Sequence, residues 1–252
     1  MTTIDIIIPS FRSPELTYLT VASFEKFKKP YNFRYIVVEN SDDETYLPAL
    51  KQDFSNIVWV QNPTSQRGSL ANAEALTVGM EKVENEYVFM CHNDVVACHE
   101  SWMQYFMSKI EEGKSLVGIS KDPHKDRIGA VHQSGLLVKT EIAKAVSLYP
   151  EYSKSGQMLL DVGDNMTKYC RDNGLDYFIC NNTFNDPENV ELLKEEKYRN
   201  FHVDRILDDD NRVIFLHLGR GIQKYNNQYF KPNRILLPQW VEFTTNLLDT
   251  KK

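Results

Sequence analysis

The residues with the most chemistry in them sit where apolar runs give out. Tyr87 to Cys91 is continuously apolar, and His92-Asn93-Asp94 follows it directly. A carboxylate such as Asp94 is the hard oxygen ligand that Mg2+ or Mn2+ takes, and an imidazole such as His92 tolerates Mn2+. Late in the chain, Val213 to Leu216 runs into His217-Leu218-Gly219-Arg220-Gly221. Glycines let a backbone approach a diphosphate closely, and Arg220 could grip one with paired hydrogen bonds. Gly68 opens the stretch Gly68-Ser69-Leu70-Ala71-Asn72. A helix starting there offers free N–H groups to phosphate or ribose oxygens. The ordinary alternatives are a capping Asp94 beside a buried His92, a solvated turn at 219–221, and a plain capped helix after Gly68.

These groups need elements to hold them. Ile4–Ile8, Tyr35–Val38, Ile57–Val60, Tyr87–Cys91 and Leu116–Ile119 read as strands. A helix is expected from Ser13-Pro14-Glu15, with Ser13 as N-cap, to about Lys28. A second runs from Gly68 to Val83, with Leu70, Ala73, Leu76, Met80 and Val83 at helical spacing. Strands alternating with helices imply a doubly wound, mostly parallel sheet. Ligands in such sheets bind beyond the carboxyl ends of the strands. That rule selects Pro9-Ser10-Phe11-Arg12, Glu39 to Asp43, Gln61-Asn62 and His92-Asn93-Asp94. The second half is less regular: strands at Leu136–Lys139, Tyr177–Cys180 and Val213–Leu216, helices at Thr140–Ser147, Val162–Asn173 and Leu237–Leu248. Asp208-Asp209-Asp210 reads as a solvated turn.

Three segments in order carry a resemblance: Ile4-Asp5-Ile6-Ile7-Ile8-Pro9-Ser10-Phe11, Val37-Val38-Glu39-Asn40-Ser41-Asp42-Asp43, and Glu86 through Asp94. Together they resemble a family 2 glycosyltransferase with a GT-A fold, over about the first 100 residues. The resemblance implies an α/β, Rossmann-like sheet flanked by helices, with a C-terminal extension. It implies one domain over 1–252, with a nucleotide-sugar half at 1–120 and an acceptor-side half and extension at 121–252. Pro9 and Phe11 would then flank the base. Glu39 stands where such proteins usually carry a base-binding Asp. Asn72 stands where some relatives carry His. His92-Asn93-Asp94 occupies the slot of an Asp-x-Asp metal motif, with His in place of the first Asp. Asp94 would ligate Mn2+ or Mg2+, His92 and Asn93 would face the nucleotide sugar, and His217 would be a further metal ligand. The general base of an inverting transfer would be Asp161 or Asp164, both just before a helix. His132-Gln133-Ser134-Gly135 resembles the family's acceptor-side loop.

The implied reaction moves a sugar from a nucleotide-diphosphate donor to a hydroxyl acceptor, glycan, lipid-linked or other. Charge patterning agrees with a phosphorylated ligand. The net charge is −6, yet the segment 211–234 contains no Asp or Glu and five basic residues, leaving −11 on the rest. Bulk acidity disfavours general nucleic-acid binding. Two other readings stay open: a non-catalytic nucleotide-binding module, suggested by His92, and a glycosyltransferase acting on a polyanionic acceptor through the basic segment. A nicotinamide dehydrogenase is disfavoured because the turn Pro9 to Pro14 holds no glycine. Cys91, Cys98, Cys170 and Cys180 fit no metal or redox spacing and read as buried thiols. No run is long and apolar enough for a membrane span. The expectation is a cytoplasmic protein, with peripheral membrane contact left open.

Overall fold

Isoleucine on consecutive positions suits a strand covered on both faces. In the computed structural model, which describes residues 1–119, 129–183, 187–219 and 235–249, Ile6, Ile7 and Ile8 are fully buried. They lie in β1 (Thr3–Ser10), which is followed by α1 (Pro14–Lys26), β2 (Asn32–Glu39), α2 (Leu47–Asp53), β3 (Ile57–Gln61), α3 (Gly68–Met80) and β4 (Tyr87–Cys91). Next come β5 (Val95–Ala97), α4 (Trp102–Glu111), β6 (Leu116–Gly118), β7 (Gly135–Lys139) and α5 (Thr140–Lys144). The remaining elements are β8 (Glu151–Tyr152), β9 (Met158–Leu160), α6 (Asp164–Asp172), β10 (Tyr177–Ile179), β11 (Asn181–Asn182), α7 (Glu196–Arg199), β12 (Asp204–Leu207), β13 (Val213–His217) and α8 (Leu237–Asp249).

The main sheet has seven strands in the order β10-β6-β7-β4-β1-β2-β3. β1 pairs in parallel with β2 and β4, and β2 with β3. β7 runs antiparallel to both β4 and β6. The carboxyl ends of β1, β2, β3 and β4 therefore share one edge. At the opposite edge Asp5 is buried but satisfied. Arg34 Nη1 donates to it at 2.8 Å, as do the backbone N–H groups of Glu84 and Asn85. A buried charge survives only with such partners; these fix the turn that feeds β4.

A second, four-stranded sheet, β11-β12-β13-β5, decides the site. After Asp94 the chain leaves the main sheet and β5 pairs antiparallel with β13, His217 opposite Val95. The backbone N–H of Leu218 donates to the Asp94 carbonyl at 2.9 Å. Between the two sheets lies an aromatic core. Trp102 on α4 is fully buried, its ring 4.7 Å from Phe24, 5.4 Å from Phe89 and 5.5 Å from Phe215. α8 is secured by Lys26, whose Nζ donates to the last-turn carbonyls of Leu247 and Leu248 at 2.9 and 2.7 Å. A cation is favoured at that end of a helix dipole.

Several expectations need adjusting. The helix expected to run to Val83 ends at Met80. The one expected from Val162 starts at Asp164, because Gly163 sits at φ +79. Ser13 precedes α1 but makes no side-chain cap; its Oγ accepts instead from Asn93 Nδ2 at 2.5 Å. The Asp208-Asp209-Asp210 run is a turn whose Asp209 and Asp210 are exposed, as expected, while Asp208 is buried. Asp208 is buried against Arg212, and Asp209 accepts from Tyr105 Oη and Lys109 Nζ at 2.7 and 2.9 Å. The four cysteines are free and buried, as expected. Among the described residues no helix is long and apolar enough to cross a membrane.

Candidate active site

β4 ends at Cys91, so His92 emerges at the carboxyl edge of the main sheet. The turn into β5 is pinned from below. Asn93 Nδ2 donates to Ser13 Oγ and Thr17 Oγ1, and the Thr20 hydroxyl lies 2.8 Å from the Asn93 carbonyl. The Asn93 side chain, expected at the nucleotide sugar, is thus committed to α1. This anchoring turns Asp94 inward, where it is 2% exposed.

The β5–β13 pairing then delivers His217. Its Nε2 lies 3.5 Å from Asp94 Oδ1, and His92 Nδ1 lies 3.9 Å from the same oxygen. One ligand atom from each of His92, Asp94 and His217 falls within 4.8 Å of the others. Bonds of about 2.1 Å to a single ion place neighbouring ligand atoms about 3.0–3.5 Å apart. Two imidazoles and a carboxylate on that scale fit one divalent cation after small movements. Burial lowers the His92 imidazole to about 4, with Asp94 pulling it up and His217 pushing it down. Burial also opposes charge on His217, but the Asp94 and Asp204 carboxylates outweigh it and raise His217 to about 9.

Around these three stand residues that the sequence did not single out as ligand-side groups. Asp204 Oδ2 is 3.2 Å from His217 Nδ1, and the two residues face each other directly across β12 and β13. The Gln133 amide is 3.4 Å from His92 Nε2. The His132 ring packs edge-on against His92 at 5.6 Å. The resemblance had marked His132 and Gln133 only as a loop leading into a strand; nothing flanking Asp204 marked it.

Of the two candidate bases, Asp161 is half-buried and close enough for its charge to act on His92. Asp164 is 2% exposed, and its Oδ2 accepts from the Asp161 backbone N–H at 2.8 Å. Asp164 therefore shapes the loop that presents Asp161. Gly163 between them, at φ +79, supplies a left-handed turn that glycine adopts without strain.

The donor-side residues also gather at this edge. Pro9 closes the β1 end, half-buried, while the Phe11 ring is 37% exposed. The guanidinium groups of Arg12 and Arg67 lie 5.8 and 6.0 Å from its centre. Arg67 precedes Gly68, which opens α3 at φ +56, and Asn72 is half-buried in its second turn. Glu39 is different. It is fully buried. Its Oε1 accepts from Arg12 N–H (3.0 Å), Ser41 N–H (3.1 Å) and Ser41 Oγ (2.5 Å), and its Oε2 from Tyr46 Oη. It ties the loops after β1 and β2 together and shows a base no exposed oxygen. Arg220 lies outside the described residues, as does most of the basic segment.

No family model matches the sequence, and no curated protein matches it. Solved structures do. A mannosyltransferase from Pyrobaculum calidifontis, in complex with GDP-Man and Mn2+, aligns with a TM-score of 0.55 at 13% identity. The alignment covers 70% of this chain and 54% of that one, so this chain spans about half its length. Glucosyl-3-phosphoglycerate synthase from Mycobacterium tuberculosis aligns with a TM-score of 0.49 at 14% identity, covering 71% of this chain and 69% of that one. TarS from S. aureus aligns with a TM-score of 0.46 at 15% identity, covering 60% and 50%. The fold is that of GT-A glycosyltransferases.

Proposed function

We propose that this chain is a metal-dependent glycosyltransferase that moves a sugar from a nucleotide-diphosphate donor to an acceptor hydroxyl with inversion. The observation that carries this reading is the convergence of His92, Asp94 and His217 at the carboxyl edge of a GT-A sheet. His92, Asp94 and His217 would hold Mn2+ or Mg2+. When bound, such an ion neutralises charge on the departing diphosphate. Phe11, with Pro9 beside it, offers a ring face to the base, and Arg12 and Arg67 place positive charge beside that face. The Gly68 turn and Asn72 lie next to the same loops. Glu39 and Asn93 hold the loops in place. Arg220 is proposed as a further diphosphate contact from its sequence context.

Asp161 accepts the proton of the acceptor hydroxyl as its oxygen bonds to the anomeric carbon and the bond to the diphosphate oxygen breaks. Asp164 holds the backbone of the loop that carries this carboxylate. The whole chain serves as one unit, the first half binding donor and the second meeting acceptor. A second reading, nucleotide binding without transfer, rests on His92 standing in a carboxylate position.

The test is thermal melting with UDP, GDP, CDP and dTDP, each with and without Mn2+. One nucleotide is expected to raise the melting temperature, more so with Mn2+, and the matching sugar donor to be hydrolysed slowly. No stabilisation by any of the four would refute the proposal. Binding with no donor hydrolysis, unaltered by Asp161→Ala, would favour the non-catalytic reading.

A further inference from the structure

We infer that the site selects nitrogen-accepting divalent cations, Co2+ and Mn2+, over Mg2+, because two of its three protein ligands are the imidazoles of His92 and His217. This rests on the proposed cation site and says which cation that site is built for. Mg2+ demands oxygen ligands in near-ideal octahedral geometry and keeps several waters. Affinity at sites containing nitrogen rises from Mn2+ to Co2+. Here Asp94 is 2% exposed and the His217 side chain 10%, against 28% for His92, so room for water is confined to the His92 side.

Both imidazoles are also oriented from behind. Asp204 Oδ2 lies 3.2 Å from His217 Nδ1, which leaves Nε2 aimed at Asp94. Asp204 sits directly opposite His217 on the neighbouring strand, so the sheet itself sets this contact. A carboxylate behind a ligating histidine fixes its tautomer and strengthens it as a donor. His92 has a matching arrangement. Its Nε2 is 3.4 Å from the Gln133 amide nitrogen, while Gln133 Oε1 is buried without a hydrogen bond. Half a turn of that amide brings Oε1 to Nε2–H, since amide oxygen and nitrogen are interchangeable in outline. Nδ1 then remains to face Asp94 Oδ1, 3.9 Å away. Two ligating histidines, each with its own polar partner, form a site built around nitrogen. His Nδ1 and Asp Oδ1 occupy the same place along their side chains, so His92→Asp exchanges nitrogen for oxygen with little change of position.

The experiment is Mn2+ binding to the full chain, with and without UDP or GDP, followed by loss of the free-ion electron paramagnetic resonance signal. Mg2+ is then added in excess, and Co2+ in a parallel titration. In the wild type Co2+ displaces Mn2+ readily. Mg2+ does so only at about tenfold or greater excess, in line with the order of affinities at nitrogen sites. In His92→Asp, Mg2+ and Mn2+ compete more evenly. Asp204→Asn weakens Co2+ binding about 10- to 100-fold while the fold, read by thermal melting, is retained. Mg2+ displacing Mn2+ at comparable concentration in the wild type overturns the inference and leaves the glycosyltransferase reading standing. An unchanged Mg2+/Mn2+ ratio in a folded His92→Asp overturns it equally. Failure of the chain to bind any of the three cations removes both.

Discussion

Replacing Glu39 separates two roles for a buried acid at the end of a strand: contact with the base, or support for the loops. The carboxylate accepts from two backbone N–H groups and two hydroxyls with no exposure to water. Glu39→Gln can keep all four partners. The Tyr46 hydroxyl can turn to Ser10 Oγ, 2.8 Å away, and accept from the new amide. What is lost is the charge, and charge-assisted bonds are about twice as strong as neutral ones, so the expected cost is about 2 kcal/mol. Glu39→Ala strands those donors in a closed site at about 1–3 kcal/mol each, part of it recovered if water enters, for a total of about 4–6 kcal/mol. At about 2–4 °C per kcal/mol for a chain of this size, Glu39→Gln melts about 4–8 °C lower and Glu39→Ala about 8–24 °C lower. Urea unfolding and thermal melting of the two variants give the numbers. Glu39→Ala melting within about 2 °C of the wild type, but with weakened nucleotide binding, would refute the loop-support account.

Four further outcomes concern the loop before α6, His217 and the aromatic core. Asp161→Asn is expected to lower turnover about 10²- to 10⁴-fold with donor affinity unchanged. Asp164→Asn should instead lower the melting temperature first, because its carboxylate is buried in the loop; parallel kinetics and melting curves separate the two. His217 is raised from 6.5 to about 9 by Asp94 and Asp204 against the effect of burial. Its contribution to metal-free stability is therefore complete below pH 6.5 and lost as pH rises through about 9, and Asp204→Asn should flatten that fall in a melting-temperature series. Trp102→Ala removes a fully buried ring from the aromatic core and should cost about 3–5 kcal/mol in denaturant unfolding.

The first half of the fold was legible because its strands are apolar runs with buried faces. Ile57 and Tyr87 mark strand starts in both the sequence and the structure. The three-residue β5 was not legible: Val95-Val96-Ala97 follows His92-Asn93-Asp94 so closely that it continues the loop by pattern alone. β12 opens with Asp204-Arg205, charged residues that conceal a strand, and its partner is set by the turn around Asp208, where Asp208 accepts from the backbone N–H groups of Asp210 and Arg212. Missing β5 and β12 meant missing the sheet that brings His217 to Asp94 and Asp204 to His217. Residue type and position marked Asp94 and Glu39 alike, as carboxylates at strand ends. Type could not separate Glu39 from a base-binding acid. That distinction lies in Tyr46 and Ser41, whose hydroxyls reach it only once the β2–α2 loop has folded.

The most direct test is a crystal soaked with mixed nucleoside diphosphates and Mn2+, with anomalous data collected at the manganese edge. One anomalous peak is expected among Asp94 Oδ1, His217 Nε2 and His92 Nδ1, beside a diphosphate whose base lies at Phe11. A diphosphate bound elsewhere, or at this edge without a manganese peak between those three side chains, would contradict it.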